Sequence, residues 1–253
     1  NRREIIDSRV RTTRLIGRAI NACQDSPKTW MNASTATMYR HAEDHPQSEW
    51  TGEPGSGFSV DVARRWEEAF FAAAVPGHTR KIALRTAMVL AAEPDSVFDV
   101  LSQLVRGGLG GTMANGRQRV SWLHMDDFLD IIDYLEAHPL AEGVFNLSSP
   151  EAPTNRHWMR AFRETFAMPI GLPAPKWALE LGALFMRTET ELITKSRWVQ
   201  PLRLRELGYR WRWPELQPAL HNLSERGDIH QFFAQPERRA IGARAWVTQK
   251  SSA

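Results

Sequence analysis

A single cysteine, Cys23, stands among 253 residues. It excludes an internal disulfide and points to a reducing compartment, the cytoplasm or an organelle matrix. No apolar run approaches the roughly 20 residues a membrane-spanning helix requires, so no membrane contact is expected. No segment repeats another. No group of potential ligands has metal spacing either. His41 and His45 share a loop with Glu43 and Asp44, but loop spacing fixes no coordination geometry, and a solvated acidic loop is the expected reading. A large charge of one sign is also absent, the net charge being +3. Arginines gather at Arg2, Arg3, Arg9, Arg11, Arg14 and Arg18 and again at Arg203, Arg205, Arg210 and Arg212. Solvated helix faces account for most of them, and nucleic acid is not the expected partner.

What remains is a composition of 42% hydrophobic and 24% charged residues, that of a globular chain with a sizeable core. Residues 4–23 space Ile6, Val10, Thr13, Gly17 and Ile20 on one helical face. "KTWMNASTATMY" (28–39) is β-like and runs into small hydroxyl residues. A polar, turn-rich loop covers 40–57. A helix over 58–74 turns Val62, Trp66, Ala69, Phe70 and Ala73 inward. "RKIALRTAMVLA" (80–91) is nearly all apolar, as in a strand buried on both faces of a parallel sheet. A helix at 95–106 precedes the glycine-rich "RGGLGG". A further helix at 126–138 has Asp126 placed as its cap, and "GVFNLSS" (143–149) is another buried strand. Helices are expected at 154–167, 175–187 and 201–207. The alternation in "YRWRW" (209–213) reads as a half-buried strand. From Gln235 the tail reads as weakly ordered. The alternation of helix and strand predicts an α/β fold with a doubly wound parallel sheet.

Seven runs occur in a fixed order between residue 8 and about 223: "SRVRTTRLIGRAI", "NASTATMYR", "ARRWEEAF", "ALRTAMVLA", "GLGG" followed by "NGRQRVSWLHMDD", "GVFNLSSPEAPTN" and "QPLRLRELGYRWRWPELQPAL". In content and spacing the chain resembles the extended short-chain dehydrogenase/reductase superfamily, and within it the branch of uncharacterised epimerase-family proteins. The resemblance implies a Rossmann-type sheet, of which residues 1–150 form the C-terminal part, with 107–124 contributing to a substrate cleft. It also implies a smaller α+β substrate subdomain at 151–234, ahead of the tail at 235–253. The implied cofactor is NADP or NAD. The implied function is that of an NAD(P)-dependent epimerase/dehydratase- or reductase-like protein acting on an unknown small molecule. Members of the superfamily open on a strand and a glycine-rich turn that holds the cofactor pyrophosphate. No G-x-x-G-x-x-G turn occurs here, and "RGGLGG" follows a helix. The expectation is therefore that an N-terminal segment is missing.

The resemblance also assigns candidate residues. Active members use a tyrosine as general acid/base, a lysine four residues later, and a Ser or Thr that hydrogen-bonds the substrate oxygen. Thr35 matches the last of these with Ser34 behind it, although both also suit a strand end that satisfies its own backbone. Anchoring on Glu67 puts Ser59 at the tyrosine position and Ala63 at the lysine position, and neither can carry those roles. Tyr39 is the tyrosine nearest the site, at a position that is structural in the superfamily. Without the pair, the alternative function is a catalytically inactive, NADP-binding sensor or regulatory protein. Arg85, Thr86, Met88 and Val89 are cofactor-binding candidates, Thr86, Met88 and Val89 beside a nicotinamide ring, while Arg85 could instead pair a carboxylate across the sheet. In "NGRQRVSWLHMDD", Arg117, Gln118, Trp122 and His124 are substrate-cleft candidates. The competing account makes 118–124 a core strand with His124 hydrogen-bonded to backbone.

Overall fold

The computed structural model describes residues 2–113, 115–173 and 195–234. The helix expected at 175–187 and the tail from Gln235 lie outside the described residues. Three strands, β1 (Thr29–Thr35), β2 (Arg80–Thr86) and β5 (Gly143–Leu147), form one sheet in the order β1-β2-β5. Both pairings are parallel, with Ala33 opposite Leu84 and Leu84 opposite Phe145. Strand alternation sends Ala83 to one face and Ile82 and Leu84 to the other. On the first face Ala83 packs with Ile20 of α1 (Arg2–Ala22), Trp30, and Phe70 of α2 (Phe58–Phe71). On the second, Ile82, Leu84 and Phe145 pack against Ile131 and Leu135 of α4 (Met125–Ala137). With helices on both faces, the sheet is the doubly wound α/β arrangement expected of the chain.

Helix α2 has two inward faces. Val60, Ala63, Glu67 and Phe70 are buried along one stripe. Of the stripe read from sequence (Val62, Trp66, Ala69, Phe70, Ala73), Ala69 and Phe70 are buried, whereas Val62 and Trp66 are half-buried and Trp66 donates a 3.0 Å hydrogen bond to the Thr13 hydroxyl of α1. A side chain at Gly17 would bring its Cβ within 2.8 Å of the Ala73 Cβ, so the glycine sets how closely the two helices approach.

The apolar run 80–91 is not one strand. It breaks at Ala87 into β2 and β3 (Met88–Leu90), and β3 pairs in parallel with β4 (Trp122–His124) in a second, two-stranded sheet. The Ala87 N–H still donates to Leu147 in the first sheet at 2.9 Å, whereas the Met88 N–H donates to Ser121, beside the second, at 3.3 Å. Leu90 and Trp122 bury against α3 (Val97–Arg106), α5 (Asn155–Thr165) and α7 (Leu216–Ala234) through Phe98, Leu101, Trp158, Phe162, Leu216 and Leu220. A short helix α6 (Leu202–Glu206) lies between α5 and α7. Helix α7 has no counterpart among the elements read from sequence.

Residues 209–213 likewise form no strand. Burial does alternate, with Tyr209, Trp211 and Trp213 inward and Arg210 and Arg212 exposed. The Arg212 and Trp213 N–H groups, however, are taken by the Asp127 carboxylate at 2.7 and 2.9 Å rather than by a neighbouring strand. In "RGGLGG", Gly111 serves close backbone approach to the chain at 172–173. Gly111 N–H donates to Leu172 and Leu172 N–H donates to Gly108, at 2.9 and 2.8 Å. A Cβ at Gly111 would fall 2.4 Å from the Pro173 nitrogen. Among the described residues no helix is long and apolar enough to cross a membrane.

Candidate functional site

At the carboxyl ends of β1 and β2, where the chain forks between the two sheets, lies a cavity of about 280 Å³. Ligands of open parallel α/β sheets bind outside the carboxyl ends of strands, where connections diverge. One side is made by Thr35, Ala36 and Thr37 and by Thr86 through Val89; the other by Leu101, Met113, Trp158 and Met159. Arg119, Ser121, Lys195 and Arg197 add the main polar groups. The Thr35 hydroxyl accepts the Thr37 N–H at 3.2 Å and lies 3.0 Å from the Thr37 hydroxyl. Arg119 donates to the Ala152 carbonyl at 3.1 Å and stacks its guanidinium 4.5 Å from the Trp198 ring centre. Thr35, Thr86, Met88 and Val89 thus meet at one cavity. Lys195 and Arg197 reach it from more than 70 residues further along the chain than Arg119, a convergence with no local signal.

Ser34, Tyr39 and Arg85 lie elsewhere, in a buried polar network. Ser34 donates to Glu67 at 2.5 Å, and Arg85 grips the same carboxylate through two nitrogens at 2.9 and 2.7 Å. Arg85 also donates to the Tyr39 hydroxyl at 3.0 Å, and that hydroxyl donates to Asn146 at 2.9 Å. Burial pushes the Tyr39 phenol above its ordinary value, with Arg85 pulling the other way. The geometry follows from alternation, because Ser34 and Thr35, like Arg85 and Thr86, point to opposite faces of their strands. Ser59 is half-buried in the first turn of α2, and Ala63 is fully buried with Met38 and Val60.

The remaining candidates are placed around the cavity rather than in its lining. The Arg117 side chain is 76% exposed, with Nε 3.4 Å from Glu43. Gln118 is buried and donates its amide to the Met113 carbonyl at 2.9 Å, while its backbone carbonyl accepts from Asn155 N–H at 2.8 Å. Gln118 therefore buttresses Met113 and Asn155, which do line the cavity. Trp122 is fully buried, with its ring 6.4 Å from that of Trp158.

His124, rather than Asp126, caps α4: its Nδ1 accepts the Asp126 N–H at 3.0 Å. The Asp126 carboxylate instead takes two hydrogen bonds from Arg226, at 2.8 and 2.7 Å. The His124 imidazole is wholly buried, and burial holds its pKa down to about 4, against the opposing pull of Asp126. Between roughly pH 6.5 and 4 the unfolded chain therefore takes up a proton that the folded chain refuses. Stability is full above that window and falls as pH drops through it, by up to about 3 kcal/mol from this group. His124→Asn keeps a capping acceptor and removes the titration. Denaturant unfolding from pH 7 to 4.5 is expected to show a flatter pH dependence for the variant; equal slopes would mean that His124 titrates normally.

Against known proteins, residues 174–223 match a domain of unknown function, DUF1731. The epimerase family protein ML0860 of Mycobacterium leprae (strain TN) is 30% identical over 220 residues, covering 87% of this chain and 69% of that protein. The epimerase family protein SDR39U1 of Homo sapiens is 28% identical over 225 residues, covering 87% and 74%. A crystal structure of human SDR39U1 (isoform2) with NADPH shares the fold at a TM-score of 0.78 and 27% identity, covering 88% of this chain and 74% of that one.

Proposed function

Because this chain belongs to the epimerase family of the short-chain dehydrogenase/reductase superfamily, we propose that it is an NAD(P)-dependent epimerase- or reductase-like protein, and that the nicotinamide end of NADP or NAD occupies the cavity at the sheet fork. The observation that carries this reading is the convergence there of Thr35 with Thr86, Met88 and Val89. The residues fit a planar ring: Met88 and Val89 offer an apolar surface, and Leu101, Trp158 and Met159 exclude water on the far side. When bound in its reduced form, the cofactor supplies a hydride. The chain's own part is to orient a small carbonyl compound and to donate a hydrogen bond from Thr35 to its oxygen. The Thr37 hydroxyl, in contact with Thr35, extends that hydrogen bond toward a second donor. A small-molecule substrate, rather than a nucleic acid, suits the cavity's size. We place the protein in a reducing compartment, consistent with its lone exposed cysteine.

A second reading, an NADP-binding regulator without turnover, is favoured by Ser59 and Ala63 at the positions of the missing acid and its lysine. Two measurements separate the readings. NADPH titration, read by energy transfer from the chain's tryptophans, is expected to saturate, and Met88→Trp, which fills the cavity, to weaken binding tenfold or more; unchanged affinity would remove the nicotinamide from this place. NADPH oxidation with a panel of small carbonyl compounds then reports turnover. Loss of the Thr35 hydroxyl in Thr35→Val is expected to slow it about tenfold, the worth of one neutral hydrogen bond, with recovery in Thr35→Ser. Saturable binding without oxidation of any compound would support the regulator.

A further inference from the structure

We propose that the cavity at the sheet fork takes a small carboxylate with an apolar or aromatic body, its negative charge held by Arg119. The proposal deepens the oxidoreductase reading and rests on it for the reacting carbonyl facing Thr35. The charge balance of the cavity is its main support. Arg119 lines it, and among the described lining residues there is no Asp or Glu to pair with that guanidinium. The guanidinium of Arg119 has a carbonyl oxygen and an indole face as its partners, both neutral. Among the described residues it has no carboxylate, so its charge is uncompensated. A charge kept at the wall of a largely apolar cavity is costly without an anion, and a ligand carboxylate supplies one in a geometry that guanidinium matches through two hydrogen bonds.

The rest of the wall sets the body of the ligand. Leu101, Met113, Trp158 and Met159 present methyl, thioether and indole surface, which suits hydrocarbon or an aromatic ring. They offer few partners for the hydroxyls of a sugar. A volume of about 280 Å³ lies just below the range of roughly 300–1,000 Å³ that holds drug-sized ligands. With a nicotinamide ring present, what is left admits a body the size of a phenyl or short alkyl group, not a nucleoside diphosphate.

The test uses this chain with three probes of one shape, 3-phenylpropanoate, 3-phenylpropan-1-ol and 3-phenylpropan-1-amine, and with UDP. Binding is measured by calorimetry with and without saturating NADPH. The carboxylate is expected to bind at least tenfold more tightly than the alcohol, with the amine weakest. Arg119→Gln is expected to erase the difference between acid and alcohol while leaving the alcohol's affinity within twofold, and Arg119→Lys to retain part of it. Retained alcohol binding shows that the variant is folded. Equal binding of acid and alcohol to the unaltered chain overturns the proposal, as does UDP binding more tightly than the carboxylate. Acid preference in a chain that fails to bind NADPH would instead overturn the cofactor reading and leave the anion site standing.

Discussion

Glu67→Ala is expected to destabilise the chain by about 3–5 kcal/mol, the cost of removing one partner from a buried ion pair. The Glu67 and Arg85 side chains are 8% and 16% exposed, with their closest nitrogen and oxygen 2.7 Å apart. Without the carboxylate, the Arg85 guanidinium stays on an inner strand with only Tyr39 to receive it, and the Ser34 hydroxyl loses its acceptor as well. The pair itself need not add much over apolar packing, because both ions lose hydration on burial. The second half of the expected result follows from this: the double variant Glu67→Met with Arg85→Leu should recover most of the loss. Urea unfolding of Glu67→Met, Arg85→Leu and the double variant measures the coupling. A loss below about 1 kcal/mol for Glu67→Ala, within the range of exposed pairs, would mean that water reaches the network and that it does not fix the sheet to α2.

Asp127→Ala is expected to cost about 3 kcal/mol or more. This carboxylate is fully buried and accepts the N–H groups of Arg212 and Trp213 at 2.7 and 2.9 Å and the Tyr209 hydroxyl at 3.2 Å. Hydrogen bonds to a charged group are worth roughly 1.5–3 kcal/mol each, and three donors are stranded together when it goes. Burial raises the carboxyl's pKa while these same donors hold it down. Asp127→Asn keeps one oxygen but turns an amide NH2 toward donors, so an intermediate loss is expected. Hydrogen exchange of the Arg212 and Trp213 amides gives a local measure: protection should collapse in the alanine variant and fall partway in the asparagine one. Unchanged protection in both would mean that packing of Tyr209, Trp211 and Trp213, not Asp127, holds the segment.

These two networks also mark where the sequence was readable and where it was not. The strand at 80–86 follows from the nearly apolar run 80–91, and that at 29–35 from a β-like run ending in small hydroxyl residues. The convergence of Thr35 and Thr86 follows from the rule that parallel sheets bind at their carboxyl ends. Placing Ser34 with Thr35, or Arg85 with Thr86, in one site conflicts with the two-residue period of a strand, and the sequence alone contains that objection. The break at Ala87 was hidden, because apolar character records burial and not which neighbour receives each N–H. In "YRWRW" the period was right and the strand was wrong: Asp127, more than 80 residues earlier, supplies what a neighbouring strand would have. Helix α7 was legible in the spacing of Leu216, Ala219, Leu220 and Leu223, though Pro218 near its start disguises it. The three cations of the cavity were out of reach, since only tertiary folding brings Lys195 and Arg197 beside Arg119.

The fork at Ala87 carries one more consequence. Consecutive amides of a single stretch are pinned to opposite sides, at Leu147 and at Ser121, so the gap between the sheets is fixed by main chain and has little slack. Adaptation to differently shaped guests then falls to Met88, Met113 and Met159, whose unbranched thioethers repack at small cost. A rigid mouth with pliant walls favours a guest chosen by its charge and tolerated in its outline.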